Sequence, residues 1–331
     1  MELFISTYPF GTISKEPLNL LDESGLKYVI NPLHRKLKPF ELAELAAESD
    51  LLIAGTENLK MLLEKNKKIK MISRVGIGLD SVPLRYCRDN NIQVAYTPDA
   101  VTMAVAELTV GVMIAIIRKV LFADNELRNG LWTRPMGIRV GNSKIGIIGC
   151  GRIGTNVINL LSSFKPKEIL VNDINDITAF IENMTIKNGI NIRFASKEEI
   201  YNEADIISLH IPLTNNTKNI IDIKALSSLK KGAYLINLSR GGIINESDLL
   251  QWLKSEKAGG AAIDVFEEEP YAGPLLKMDN VILTQHMGSC SFDCRSRMEI
   301  EATKEVIRYF KGEKIINPVP IEEYDFQANT V

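Results

Sequence analysis

The segment Lys144-Ile-Gly-Ile-Ile-Gly-Cys-Gly-Arg-Ile-Gly154, followed by the apolar run Glu168–Asn172 that ends on Asp173, constrains this chain more than any other feature. It spells a strand, a glycine turn, a helix start and a second strand closing on an acid. In that order Gly149 permits a tight turn, Gly151 lets backbone approach a pyrophosphate, and Gly154 lets the helix pack close to its strand. The helix N-terminus then faces the phosphate charge. Asp173 stands where an adenosine ribose diol would need an acceptor. No arginine follows it at Ile174 or Asn175, which favours NAD over a 2′-phosphorylated cofactor. Glycines alone would also suit an ordinary turn in an α/β domain; the apolar strand and the spaced acid select the dinucleotide reading.

Short apolar runs alternate with longer helical patterns in two series, the signature of parallel sheets wound by crossover helices. The first series is Glu2–Ser6, Lys27–Ile30, Leu51–Ala54, Lys70–Ser73 and Ile92–Ala95. The second is Lys144–Ile148, Glu168–Asn172, Asn191–Phe194, Asp205–Leu209, Ala233–Asn237, Gly260–Ile263 and Asn280–Leu283. At 331 residues, 45% of them hydrophobic, the chain can bury two such cores. The expected class is therefore α/β with two doubly wound parallel-sheet lobes. The last helical stretch, Phe292–Lys311, has nothing left to pair with in the second series, so it is expected to return to the first lobe. That makes residues 1–98 plus 289–331 one discontinuous domain and 99–288 the other.

A formal charge of −2, with no sustained basic block, offers nothing to nucleic acid or to an anionic membrane. Val101–Val120 is the most membrane-like segment, but Glu107, Arg118 and Lys119 interrupt it, so a buried helix is expected instead. Cys87, Cys150, Cys290 and Cys294 are too few and scattered for a disulfide framework and lack zinc-site spacing, so no metal is expected. The amino terminus shows no basic region followed by an apolar stretch. A cytoplasmic protein acting on small molecules is the resulting expectation.

Ligands of parallel sheets bind beyond the carboxyl ends of the strands. The second series ends there in Gly149, Asp173, His210 with Pro212, Ser239 with Arg240, Asp264 and His286. Three residues suit chemistry. Arg240 offers a planar fork that makes two parallel bonds to a carboxylate and never loses its charge. His286 suits proton transfer near neutral pH, and Glu269, if bonded to its far nitrogen, would fix tautomer and orientation and raise its pKa. Taken singly, each has a plainer alternative: Arg240 before Gly-Gly can be a solvated turn cation, and Glu269 among Glu267, Glu268 and Pro270 an exposed acidic turn. His34 reads as a surface residue and His210 as a structural histidine lining the cofactor lobe.

Taken together, Gly149-Cys-Gly-Arg-Ile-Gly154, Ser208-Leu-His-Ile-Pro-Leu-Thr214, Asn237-Leu-Ser-Arg-Gly-Gly242, Asp264-Val-Phe-Glu-Glu-Glu-Pro270 and the His286 segment resemble the D-2-hydroxyacid dehydrogenase family, in its phosphoglycerate dehydrogenase-like branch. The resemblance covers nearly the whole chain. It implies a Rossmann NAD-binding domain inserted in a flavodoxin-like substrate domain, with hydride passing between nicotinamide and C2 of a D-2-hydroxy or 2-oxo acid. It assigns Arg240 to the substrate, Glu269 to orienting His286, and His286 to the proton at C2. It assigns Arg152 and Ile153 to the pyrophosphate, Asp173 to the ribose, and His210, Pro212, Ser239, Asp264 and Gly288 to the cofactor's surroundings. In the first lobe Arg74-Val-Gly-Ile-Gly-Leu-Asp80 resembles the loop whose amides, around Gly76 and Ile77, receive the substrate carboxylate. A homodimer is the implied assembly.

Departures from that branch bear on the substrate. Ala54-Gly-Thr-Glu57 stands where phosphoglycerate dehydrogenases carry an arginine, and Val101 where they carry an asparagine; Gln285 replaces a proline before His286. Arg134 matches a basic position and is the remaining cation for a distal anion. The substrate expectation therefore spans 3-phosphoglycerate or a similar anion and, as the alternative, reduction of glyoxylate or hydroxypyruvate. From another class, an NADH-sensing corepressor-like interaction protein shares the fold.

Overall fold

In a computed structural model, which describes residues 1–327, the apolar runs between turn residues become strands of two all-parallel sheets. Two compact units hold them: Met1–Val101 with the segment from Ser289 onward, and Thr102–Gly288.

The first unit carries β1 (Glu2–Ile5), β2 (Lys27–Ile30), β3 (Leu51–Ala54), β4 (Met71–Arg74) and β5 (Gln93–Ala95), ordered β2-β1-β3-β4-β5. This is the flavodoxin-like order. Central β3 and β4 are buried at every position, as strands covered on both faces must be, whereas edge strand β2 alternates exposed and half-buried residues. Helix Phe292–Phe310 packs within this unit. Its apolar Cys294, Met298, Ala302 and Val306 recur every four residues and are buried, and the Ala302 carbonyl accepts from Ser73 Oγ at 2.9 Å. Two acids on the helix are also buried. Glu299 accepts from Gly11 N–H at 2.8 Å and Arg295 Nε at 2.7 Å; Glu305 accepts from Ile316 N–H at 3.0 Å and Arg308 at 2.9 Å.

The second unit carries β6 (Lys144–Ile148), β7 (Glu168–Asn172), β8 (Ile192–Phe194), β9 (Ile206–Leu209), β10 (Ala233–Asn237), β11 (Ala258–Ile263) and β12 (Val281–Leu283), ordered β12-β11-β10-β9-β6-β7-β8. That is the Rossmann order extended by one strand. Register aligns the final residues: Asn172 with Ile148, Ile148 with Leu209, Leu209 with Asn237, Asn237 with Ile263 and Ile263 with Leu283. Residues just beyond them share one edge.

Helix Pro98–Ile117 has the length and apolar composition to cross a membrane. Much of it is buried against protein instead: Ile116 lies against Gly260, whose added Cβ would approach it to 3.3 Å, and Val105 lies against Gly288 at the same distance.

Candidate functional site

Gly149 follows β6 at φ 96°, a conformation other residues adopt at a cost, and a Cβ there would sit 2.4 Å from the His210 carbonyl. A Cβ on Gly154 would sit 2.0 Å from the Gly149 carbonyl, so the first turn of helix Arg152–Ser162 lies directly on the glycine turn. A Cβ on Gly151, in contrast, meets nothing within 4 Å. Gly151 caps the helix with no side-chain bond, so no side chain of the cap stands between the positive dipole end of the helix and an anion. These are the properties a dinucleotide pyrophosphate requires, and the residues present fit the group. Arg152 is exposed and Ile153 half-buried at the same helix start.

Asp173 follows β7. Its Oδ2 accepts from Cys150 N–H at 2.6 Å and its Oδ1 from Asn175 N–H at 2.8 Å, tying the glycine turn to the second strand and holding the carboxylate still. Burial, then the charge of Asp173, pushes the Cys150 thiol up to about 12, so it stays neutral. His210, after β9, shares a 2.9 Å hydrogen bond between Nε2 and Ser208 Oγ. Burial holds its imidazole down at about 4, which makes it a neutral wall beneath Gly149 and a poor proton carrier at pH 7. Pro212, two residues on, is exposed.

Arg240 lies on the turn after β10, half-buried, with Nη1 donating to the Ser239 carbonyl at 2.6 Å. Asn237, 2% exposed, organises that turn: its Oδ1 accepts from Ser239 N–H at 3.0 Å and Oγ at 2.6 Å, and its Nδ2 donates to the Arg240 carbonyl at 2.9 Å. Gly241 then presses on the next strand's loop, where a Cβ would fall 1.9 Å from the Phe266 carbonyl. Arg240 and the segment bearing Glu269 are thereby tied together at backbone level.

Glu269 and His286 meet. His286 Nδ1 lies 3.0 Å from Oε1 and 2.9 Å from Oε2, and Oε1 also accepts from Phe266 N–H at 3.2 Å. The His286 backbone sits at φ 52°, and Asp264, 1% exposed, holds it there. The Asp264 carbonyl accepts from His286 N–H at 2.7 Å. Its Oδ1 accepts from Thr284 Oγ1 at 2.6 Å and Met287 N–H at 2.8 Å, and its Oδ2 from Gly288 N–H at 2.9 Å. Asp264 thus spends its carboxylate first on the histidine loop, a use that its place in the sequence does not reveal.

In the first unit, Gly76 has φ 132° and its N–H donates to Thr97 Oγ1 at 2.8 Å. The Gly76 amide, expected from the sequence to receive an anion, is therefore engaged within the unit. Arg74 went unnoticed in the sequence as a site residue; it is 6% exposed, and its Nη1 would lie 3.0 Å from a Cβ on Gly76. A cation at the end of β4, two residues before the glycine, was the available signal. Arg134 lies on an exposed stretch at φ 48° and shares no hydrogen bond with Arg240, Glu269 or His286 among the described residues.

Residues 110–288 match the family model for the D-isomer specific 2-hydroxyacid dehydrogenase, NAD binding domain. The chain is 36% identical over 263 residues to a glyoxylate reductase of Thermofilum pendens, covering 76% of this chain and 75% of that protein. It is 34% identical over 330 residues to a D-3-phosphoglycerate dehydrogenase of Methanocaldococcus jannaschii, covering 92% of this chain but 58% of the longer relative. Among solved structures, a D-lactate dehydrogenase of Aquifex aeolicus complexed with NAD and lactic acid superposes with a TM-score of 0.82 at 25% identity, over 96% of this chain and 99% of that one.

Proposed function

Because the chain belongs to the D-isomer specific 2-hydroxyacid dehydrogenase family, we propose that it is an NAD-dependent oxidoreductase acting at C2 of a D-2-hydroxy acid or the matching 2-oxo acid. The observation that carries this reading is the His286–Glu269 pair, set on the same sheet edge as the glycine turn. NAD held at this site would supply the acceptor or donor of a hydride at C2. The chain's own residues handle the proton and the charge. With Nδ1–H directed at Glu269, neutral His286 carries its lone pair on Nε2, the atom that accepts the C2 hydroxyl proton in oxidation; in reduction the imidazolium returns it there. Glu269 fixes that tautomer and the orientation of the ring. Arg240 anchors the substrate carboxylate, with Gly76, Ile77 and Arg134 as further substrate contacts. Gly149, Gly151, Arg152, Ile153 and Gly154 would hold the pyrophosphate and Asp173 the ribose, while His210, Pro212, Ser239, Asp264 and Gly288 would line the rest of the cofactor.

The test is NADH consumption by the purified protein across glyoxylate, hydroxypyruvate, 3-phosphohydroxypyruvate, pyruvate and longer 2-oxo acids. Turnover of at least one is expected. NADH binding with no turnover on any would instead favour the dinucleotide-sensing alternative.

The reading includes a homodimer. Leu121, Leu127, Trp132 and Met136 are 52, 58, 79 and 86% exposed, an apolar run that water disfavours and a second copy can cover. It includes a cytoplasmic location, which suits the four free cysteines.

A further inference from the structure

In a sheet ordered β2-β1-β3-β4-β5 the strand order reverses between β1 and β3, and the crevice for a ligand opens beyond their carboxyl ends. Ser6 and Thr7 follow β1 there; Gly55, Thr56 and Glu57 follow β3. Glu57 is 3% exposed. Its Oε2 accepts from Gly55 N–H at 2.7 Å and from Ser6 Oγ at 3.2 Å. A Cβ on Gly55 would lie 2.9 and 3.0 Å from the two carboxylate oxygens and 2.8 Å from Thr7 Oγ1, so the acid fills the volume that any side chain at position 55 would need. No cation lies within ion-pair distance of Glu57 among the described residues. Burying a carboxylate against neutral donors alone costs stability, so such a group is an expected site of function rather than of packing.

The other charges of this edge are accounted for. Arg295 reaches Thr7 Oγ1 at 3.1 Å but is paired with Glu299 at 2.7 Å, which makes the couple neutral. Arg74 lies over Gly76, one strand further along, beside the turn proposed above for the substrate carboxylate. Within this unit an anion at the Gly76 turn lies beside Arg74, whereas one in the crevice between β1 and β3 would lie beside Glu57.

We propose that Glu57 is a specificity-determining residue, which restricts the enzyme to 2-oxo acids bearing a single negative charge and turns away those with a phosphate or a second carboxylate. The proposal rests on the dehydrogenase reading. It is tested by comparing kcat/KM for hydroxypyruvate and 3-phosphohydroxypyruvate, which differ in the distal phosphate. The wild type is expected to favour hydroxypyruvate by about 30-fold or more, the effect of a like charge several ångströms away in partly desolvated protein. Glu57→Gln keeps an acceptor for Gly55 and removes the charge, and is expected to narrow that ratio by about tenfold. A wild-type preference for the phosphorylated acid, or an unchanged ratio in Glu57→Gln, would overturn the proposal. Wild-type inhibition gives a reading independent of how the variant folds: glycolate is expected to compete more strongly than the dianion tartronate, and the reverse order overturns the assignment. Absence of turnover on every 2-oxo acid would overturn the dehydrogenase reading itself, an outcome distinct from these.

Discussion

His286 holds Nδ1 between the two oxygens of Glu269, at 3.0 and 2.9 Å, on a backbone turned to φ 52°. That geometry commits Nδ1 to orientation, and the proposed mechanism gives proton transfer to Nε2. Replacing His286 by Ala should lower kcat by about 10²- to 10⁴-fold while NADH affinity, measured by fluorescence titration, stays within about threefold. Glu269→Gln should cost less in kcat, since the amide oxygen still accepts from Nδ1 and only the charge of the partner is lost. Unchanged turnover in His286→Ala would remove this histidine from the mechanism.

Arg240 is expected to need its fork as well as its charge. Arg240→Lys keeps the charge and loses bidentate geometry, so kcat/KM for the preferred 2-oxo acid should fall by about 100-fold with NADH binding preserved. Near-wild-type steady-state kinetics would mean that Arg240 is a turn cation and no more.

Gly154 tolerates no side chain, because a Cβ would lie 2.0 Å from the Gly149 carbonyl. Gly154→Ala should separate helix from turn, lowering stability by about 2 kcal/mol or more in urea unfolding and abolishing NADH binding. A stable variant that binds NADH normally would contradict the packing described above.

His210 makes stability depend on pH. Its folded pKa, about 4, lies below the ordinary value of 6.5, so the unfolded chain takes up the proton first. The folded state keeps its full margin above about pH 6.5 and loses part of it as pH falls toward 4, on the order of 1–3 kcal/mol. His210→Gln should flatten the drop in Tm between pH 7 and pH 5. An equally steep drop in that variant would assign the effect to other groups.

The exposed apolar run from Leu121 to Met136 should be an interface. Sedimentation equilibrium is expected to give a dimer for the wild type, and the pair Trp132→Asp with Met136→Asp a monomer. A wild-type monomer at micromolar concentration would leave these side chains without a partner and refute the assembly.

Much of this architecture was legible in the chain because its signals are local. Each buried strand is a short apolar run, and Gly149, Gly151 and Gly154 act within six residues of one another. The strand bounds moved by only a residue or two: β8 begins at Ile192 rather than Asn191, and β11 at Ala258 rather than Gly260. Asn237, Thr284 and Arg74 are not legible in this way. Asn237 and Arg74 bond to backbone that only the folded turn brings near, Thr284 bonds to the Asp264 carboxylate twenty residues away, and nothing in residue type or spacing announces it. Gly76 shows the same limit, since its amide is taken by Thr97, twenty-one residues away.

What the sequence determined alone is the alternation of strand and helix, the glycine turn with its acid, and the identities of Arg240, Glu269 and His286, because covalent order and residue chemistry suffice for these. What tertiary structure decided is which groups those residues are given to. Strand register brings Glu269 to His286, Asp264 to the loop from Thr284 to Gly288, and Ser6 to Glu57 across paired β1 and β3. Hydrogen bonds and desolvation act over a few ångströms, and only the folded sheet sets distances on that scale between residues far apart in the chain.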